Sequence, residues 1–216
     1  MMGMGRRARI VIAVLGVVAV SALGASAAGA APTFKTTWMP GFAAPGTPAN
    51  LDKVGVIKIG SKAAKNVLVI EPGTSGGGAY FVPFAKWLVE KAPGWQVWAV
   101  ERRENKLENQ HELDKFKNGE VTAKQFFHYY LGYLAEPSNP EPHFKPVSEE
   151  KAIADGGREW GMNVAVEDLH IVIEQAKALG GKVVLGGHSL GGSVVTAYAT
   201  WDFGGKPGAD GLSGLV

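Results

Sequence analysis

At 216 residues, with 46% hydrophobic side chains and 22 basic against 20 acidic residues, the chain can bury the core of one globular domain and is too balanced in charge to suit a polyanion partner. The absence of cysteine excludes disulfides, thiolate metal sites, a cysteine nucleophile and a thioether lipid anchor. Thirty glycines and twelve prolines follow no period, which excludes collagen-like and array architectures.

Arg6, Arg7 and Arg9 precede the apolar run Ile10–Val20, and small residues follow through Ala25-Ser26-Ala27 and Ala28-Gly29-Ala30. This is the order of an export signal, with cleavage expected after Ala30. The uncharged stretch Ile10–Ala31 is also long enough to be an uncleaved anchor, and Arg6-Arg7 admits a twin-arginine route. Cleavage removes three of the 22 basic residues and no acidic one, leaving 19 against 20. The expected location is secreted or in the cell envelope, with no stable membrane span in the mature form and no nucleic-acid partner.

Residues 31–50 are rich in Pro, Gly, Ala and Thr and read as a flexible lead-in, so the fold is expected to occupy 51–216. Strands are expected at Val54–Ile59 and Asn66–Glu71, the second apolar throughout as a strand buried on both faces should be. After Pro72-Gly73 and the loop Thr74-Ser75-Gly76-Gly77-Gly78, a helix is expected from about Ala79 to Ala92, with Pro83 in its first turn. Trp95–Val100 is the next strand. A long amphipathic helix spans about Gly161–Leu179, carrying an apolar stripe of Met162, Val166, Leu169, Ile173 and Ala176 opposite a polar one that includes His170, read as a solvated surface residue. Then come a strand Lys182–Gly187, a helix to about Trp201, and the start of a strand at Leu212–Val216. Strands alternating with helices predict an α/β fold: a mostly parallel sheet with helices on both faces.

The alternation breaks at about 104–160, a helical insertion. Thr122 and Gln125 form a capping box for a helix to about Leu134, whose Phe126, Tyr129, Tyr130 and Tyr133 share a face; Pro137–Pro146 reads as extended. That aromatic face suits either a cap over an apolar acyl pocket or plain docking on the main domain. At the insertion's edge, Glu101-Arg102-Arg103-Glu104-Asn105 reads as a salt-linked rim of solvated charges, or as one that orients the inserted segment.

The chemistry concentrates at Gly187-His188-Ser189-Leu190-Gly191. A strand that ends directly at a helix start forces its central residue into strained backbone geometry, and glycines two before and two after prevent side-chain collision. The serine hydroxyl is thereby displayed beside helix N-terminal amides, which favour developing negative charge. The motif resembles the G-x-S-x-G nucleophile elbow of α/β-hydrolase-fold enzymes, with Lys182–Gly187 in the place of the family's fifth strand.

The resemblance implies a nucleophilic Ser189 and an oxyanion hole from the backbone N–H groups of Leu190 and of Thr74, in the loop after the third strand; Pro72 stands where relatives often carry histidine, and Ser75 is the alternative to Thr74. Each such donor is typically worth about 2.7–4 kcal/mol toward the transition state. His188 adjoins the serine but points away around the elbow, with a packing or hydrogen-bonding task behind it. His111, His128 and His143 precede the serine within the insertion or its edges. Asp202 and Asp210 lie before the position of the family's acid. The family order of Ser, acid, His therefore implies that acid and histidine lie beyond Val216, and the chain is expected to be the N-terminal part of a longer hydrolase, inactive alone.

A phosphate-binding reading of the Gly76–Gly78 loop fails on detail. No Lys-Ser or Lys-Thr follows Gly78, and Phe81 stands where a dinucleotide fingerprint needs a small residue. No cofactor or metal is implied. The expected function is a secreted serine hydrolase of carboxylic esters or related acyl compounds, taking a small-molecule substrate; the alternative is a non-catalytic, envelope-associated binding protein that retains the fold.

Overall fold

The structure is a computed structural model that describes residues 34–216, so the export signal expected at 1–30 lies outside the described residues. In chain order, β1 (Thr37–Pro40), β2 (Lys53–Ile59) and β3 (Asn66–Glu71) lead through a 3₁₀ turn at Gly78–Phe81 into α1 (Val82–Lys91) and β4 (Trp95–Glu101). The inserted segment carries α2 (His111–Lys117), α3 (Ala123–Phe127), α4 (Tyr133–Ala135) and α5 (Glu149–Ala154). The chain returns through α6 (Met162–Lys177), β5 (Val183–Gly187), α7 (Leu190–Thr200) and β6 (Gly214–Leu215).

These strands form one sheet in the order β1-β2-β4-β3-β5-β6. β2 runs antiparallel to β1 and β4, whereas β4, β3, β5 and β6 are mutually parallel. The architecture is α/β, a mostly parallel sheet with helices on both faces. Successive strand side chains point to opposite faces, and the core divides accordingly. Val67 and Val69 of β3, with Trp98 and Val100 of β4, pack with Val166, Leu169, Val172 and Ile173 of α6 and Val194, Val195 and Tyr198 of α7. Leu68 and Ile70, with Val97 and Ala99, pack on the other face against Phe81 and Ala85 at the start of α1. β3 is buried on both sides, as its unbroken apolar run requires.

Within the expected lead-in of 31–50, the described residues 34–50 depart from the flexibility that their composition predicts. Thr37–Pro40 pairs with Lys53–Val56 as an edge strand, and Met39, Ala44 and Leu51 are buried. Four residues ending in proline are tolerated there because an edge strand bonds on one side only. With β1 counted, the strand before the Gly-rich loop is third in the chain and the one before Ser189 is fifth.

The helix of the insertion is continuous from Ala123 to Ala135, with a π-type turn at His128–Gly132. Its capping box forms: the Thr122 hydroxyl accepts from the Gln125 N–H, and the Gln125 side chain accepts from the Thr122 N–H. Phe116, Phe126, Tyr130 and Phe144 make a chain of ring contacts 4.9–5.8 Å apart. The aromatic face thus packs on the insertion's own α2 and on the segment around Phe144.

Candidate active site

The site grows from the parallel pairing of β3 and β5, whose register sets Glu71 opposite Gly187 at the carboxyl ends of both strands. Two turns leave the sheet side by side there: Pro72–Gly77 from β3 and His188–Ser189 from β5. At such an edge the strand termini present their loops to solvent, the usual place for a ligand on an open α/β sheet.

At the elbow, Ser189 has φ 55° and ψ −120° and, with His188, makes the two-residue turn between the end of β5 and the start of α7. Among the described residues Ser189 and Ser75 are the non-glycine residues with positive φ, and both stand in these two turns. Backbone strain of this kind costs on the order of 1–3 kcal/mol and persists only where the surroundings impose it. Here they do. A Cβ on Gly191 would sit 2.1 Å from the Glu71 carbonyl oxygen, and one on Gly187 would sit 2.4 Å from the Gly191 backbone. The His188 N–H donates to the Glu71 carbonyl at 3.1 Å, and the Gly191 and Gly192 N–H groups close the turn on His188 and Ser189. Both glycines of the motif are therefore required by backbone contact.

Leu190 opens α7, and its N–H donates to no protein acceptor among the described residues, as expected of a first-turn helix amide. Thr74 lies in the neighbouring turn, and its N–H is likewise without a protein acceptor among the described residues. The two turns touch: a Cβ on Gly73 would lie 3.1 Å from Ser189 Cβ and 3.2 Å from His188 Nδ1. Ser189, Leu190 and the residue beside Thr74 are brought into one place from sequence positions more than a hundred residues apart.

His188 is exposed and faces the loop after β3. The Gly73 N–H donates to the Tyr80 hydroxyl at 2.7 Å, and that hydroxyl lies 3.3 Å from His188 Nδ1. Having accepted from Gly73, the phenol can donate its own proton to Nδ1, so His188 braces the loop against the elbow. The other histidines sit elsewhere. His170 is not a solvated surface residue: its ring stacks on Phe203 at 3.8 Å, Nδ1 lies 3.1 Å from the Tyr198 hydroxyl, and burial lowers its pKa. His143 stacks on Tyr133 within the insertion, and His111 is exposed beside Glu112. Asp202 accepts from the Gly205 N–H and Asp210 pairs at 4.0 Å with Lys206, so both serve the loop after α7.

The charged stretch after β4 is the main feature that sequence reasoning missed. It is a buried network and not a solvated rim. Arg103, 1% exposed, donates from Nε and Nη2 to Asp168 of α6 at 2.9 and 2.6 Å, from Nη1 to Asp52 at 2.7 Å, and from Nη2 to the Phe42 carbonyl at 2.8 Å. The Phe42 N–H in turn donates to Asp168. This cluster ties the loop after β1 to β4 and α6.

Glu101 and Arg102 grip the loop that faces Ser189. Arg102 donates from Nη1 to the Pro72 carbonyl and from Nη2 to the Gly73 carbonyl, each at 2.7 Å, and Nη1 also lies 3.2 Å from Glu71 Oε1. The Glu101 carboxylate accepts from the Gly78 and Ala79 N–H groups and from the Asn105 side chain. Burial pushes the Glu71 carboxyl up to about 8, with the Arg102 guanidinium pulling the other way, and burial also raises Glu101 and Asp168. Charge and backbone dipole match at each end of the loop: a cation on its carbonyls, an anion on its amides.

On the open side, Ser189, Gly192, Ser193, Thr196, Ala197 and Thr200 line a wide groove along α7. Among the described residues no group of three or more His, Asp or Glu could hold a metal ion, and no helix is long and apolar enough to cross a membrane.

No family model matches the chain, and no curated protein matches it. Among solved structures it is similar to the siderophore hydrolase EstB from Aspergillus fumigatus, with a TM-score of 0.36 and 13% identity over 75% of this chain and 38% of that one. The chain therefore spans less than two-fifths of the length of that structure.

Proposed function

We propose that this chain carries the nucleophilic half-site of a serine hydrolase acting on carboxylic esters or related acyl compounds. The observation that carries the reading is Ser189 itself, held at φ 55° between β5 and α7 by the glycine contacts around it. In this mechanism Ser189 Oγ attacks the acyl carbonyl and loses its proton to a base. The carbonyl oxygen takes the negative charge and is held by the Leu190 and Thr74 N–H groups. Collapse of the tetrahedral species expels the alcohol portion as an alkoxide that is protonated by the conjugate acid, and water then frees the acyl group from Ser189 in a second, equivalent cycle.

The second reading is a binding protein that keeps the elbow without turnover. The two separate on one experiment. In the full-length protein, labelling with a fluorophosphonate probe is expected and is lost to background in Ser189→Ala; equal labelling of both removes the nucleophile assignment, and labelling of neither supports the binding reading. Export belongs to the same proposal and rests on the order of charged, apolar and small residues in 1–30. Retention of the protein inside the cell with residues 1–30 still attached contradicts it, and a mature N-terminus at Ala31 in secreted material fixes the cleavage site.

A further inference from the structure

We propose that Arg102 is a positioning residue for the oxyanion loop, holding the carbonyls of Pro72 and Gly73 so that the Thr74 N–H is presented for a substrate oxygen. The inference rests on the hydrolase reading above and assigns a residue to it outside the elbow and its loop.

The argument is one of peptide geometry. Every peptide bond among the described residues is trans, so the carbonyl of one residue and the N–H of the next point in opposite directions across a rigid plane. Arg102 Nη2 on the Gly73 oxygen, seconded by the Gly76 N–H at 3.1 Å, fixes the Gly73–Thr74 plane from its oxygen side. The Thr74 N–H is then turned away from the guanidinium, with no competing acceptor among the described residues. Arg102 Nη1 on the Pro72 oxygen fixes the preceding plane in the same way, and its N–H, that of Gly73, meets the Tyr80 hydroxyl. Two consecutive planes are thus set by one planar fork.

A guanidinium is suited to this and an ammonium is not, because only the fork offers two donors in a fixed relation. Glu71 and Glu101 complete the frame. Glu71 lies 3.2 Å from the same Nη1 that serves Pro72, and Glu101, the preceding residue, holds the far end of the loop through the Gly78 and Ala79 amides. A Cβ on Gly77 would lie 2.5 Å from Glu101 Oε2, so the loop is seated on this pair along its length. Arg102 touches neither Ser189 nor the open groove, and its effect on the chemistry passes through the Thr74 amide.

The test uses the full-length protein in three forms: native, Arg102→Lys and the double variant Arg102→Gln/Glu71→Gln. The double variant removes the fork without stranding a buried carboxylate. Two quantities are read: the fluorophosphonate reaction with Ser189, resolved into probe binding and the bonding step, and the ¹H–¹⁵N signals of Gly73 and Thr74. Arg102→Lys is expected to slow the bonding step by about tenfold to a hundredfold, less than the full loss of one oxyanion donor. Probe binding should change less than twofold, and the Thr74 amide signal should shift or broaden. The double variant should behave alike. Native bonding rates in a folded variant, or an unmoved Thr74 signal, overturn the proposal. Failure of the hydrolase reading has a different signature, labelling that survives Ser189→Ala, and the amide signals report on Arg102 whether or not the serine reacts.

Discussion

The elbow and the insertion are built on opposite terms. Around Ser189 the backbone is packed against backbone, so that a single methyl group at Gly187 or Gly191 has nowhere to go. Between Glu104 and Asp155 no residue is buried, and the segment holds itself together by aromatic contacts, helix caps and surface ion pairs such as Lys115–Glu112. Arg103 and its neighbours stand at the border. The difference teaches that precision in this molecule is a property of the sheet edge, where the buried charges of Arg102 and Arg103 tie the loops after β1 and β3 to β4 and α6.

If that contrast is right, substitutions should have graded effects. The largest is expected at Arg103. Arg103→Met strands Asp168 and Asp52 without their counter-charge, and breaking such a pair from one side typically costs about 3–5 kcal/mol. A denaturant midpoint within error of the native one would show the network to be dispensable. Next is Gly191→Ala, where the new methyl meets the Glu71 carbonyl; overpacking of this kind costs about 1–3 kcal/mol, and the loss should appear in both unfolding and labelling of Ser189.

The pH dependence of Glu71 sharpens the comparison from the site's side. Its folded value is raised from 4.5 to about 8, so the folded chain holds that proton more tightly than the unfolded one. Its contribution to stability is full below about pH 4.5 and is lost as pH rises through about 8. In Glu71→Gln the fall in unfolding free energy across that window should flatten, and an unchanged slope assigns the effect to other groups.

The smallest effects belong to the insertion. Phe126→Ala should cost about 1 kcal/mol of aromatic contact, and Thr122→Ala about 1 kcal/mol of helix capping. Both should quicken proteolytic cleavage within 104–160 while the Ser189 labelling rate stays unchanged. Loss of labelling in either variant would join the insertion to the site and dissolve the contrast.

How much of this was legible in the sequence follows the same division. The elbow, the capping box and the alternation of strands with helices are local, because spacing and residue type decide them. β1 was hidden because Thr37-Trp38-Met39-Pro40 is too short for a period and lies in a composition that reads as loop; only β2 makes it a strand. Glu101, Arg102 and Arg103 were misread for a related reason. Clustered charges belong at the surface unless partners neutralise them, and the partners here, Glu71, Asp52 and Asp168, come from three other parts of the chain. His170 gave no sign of its burial because Phe203 and Tyr198 arrive from beyond α7's start. Met162, placed on the apolar stripe of α6 by period alone, is 40% exposed at the first position of that helix.

The pairing of Glu71 with Gly187 has a consequence for how this molecule tolerates change in length. Both halves of the proposed site are mounted on the ends of adjacent parallel strands, so their relative height is counted out in residues. Adding or deleting one residue in β3 or β5 displaces one half by about 3.3 Å and turns every following side chain to the opposite face. Residues added between Glu104 and Asp155 enter no ladder and shift nothing at the sheet edge. Length variation is therefore free in one stretch and forbidden in the other, and a library of single-residue insertions along the chain would draw the border between them.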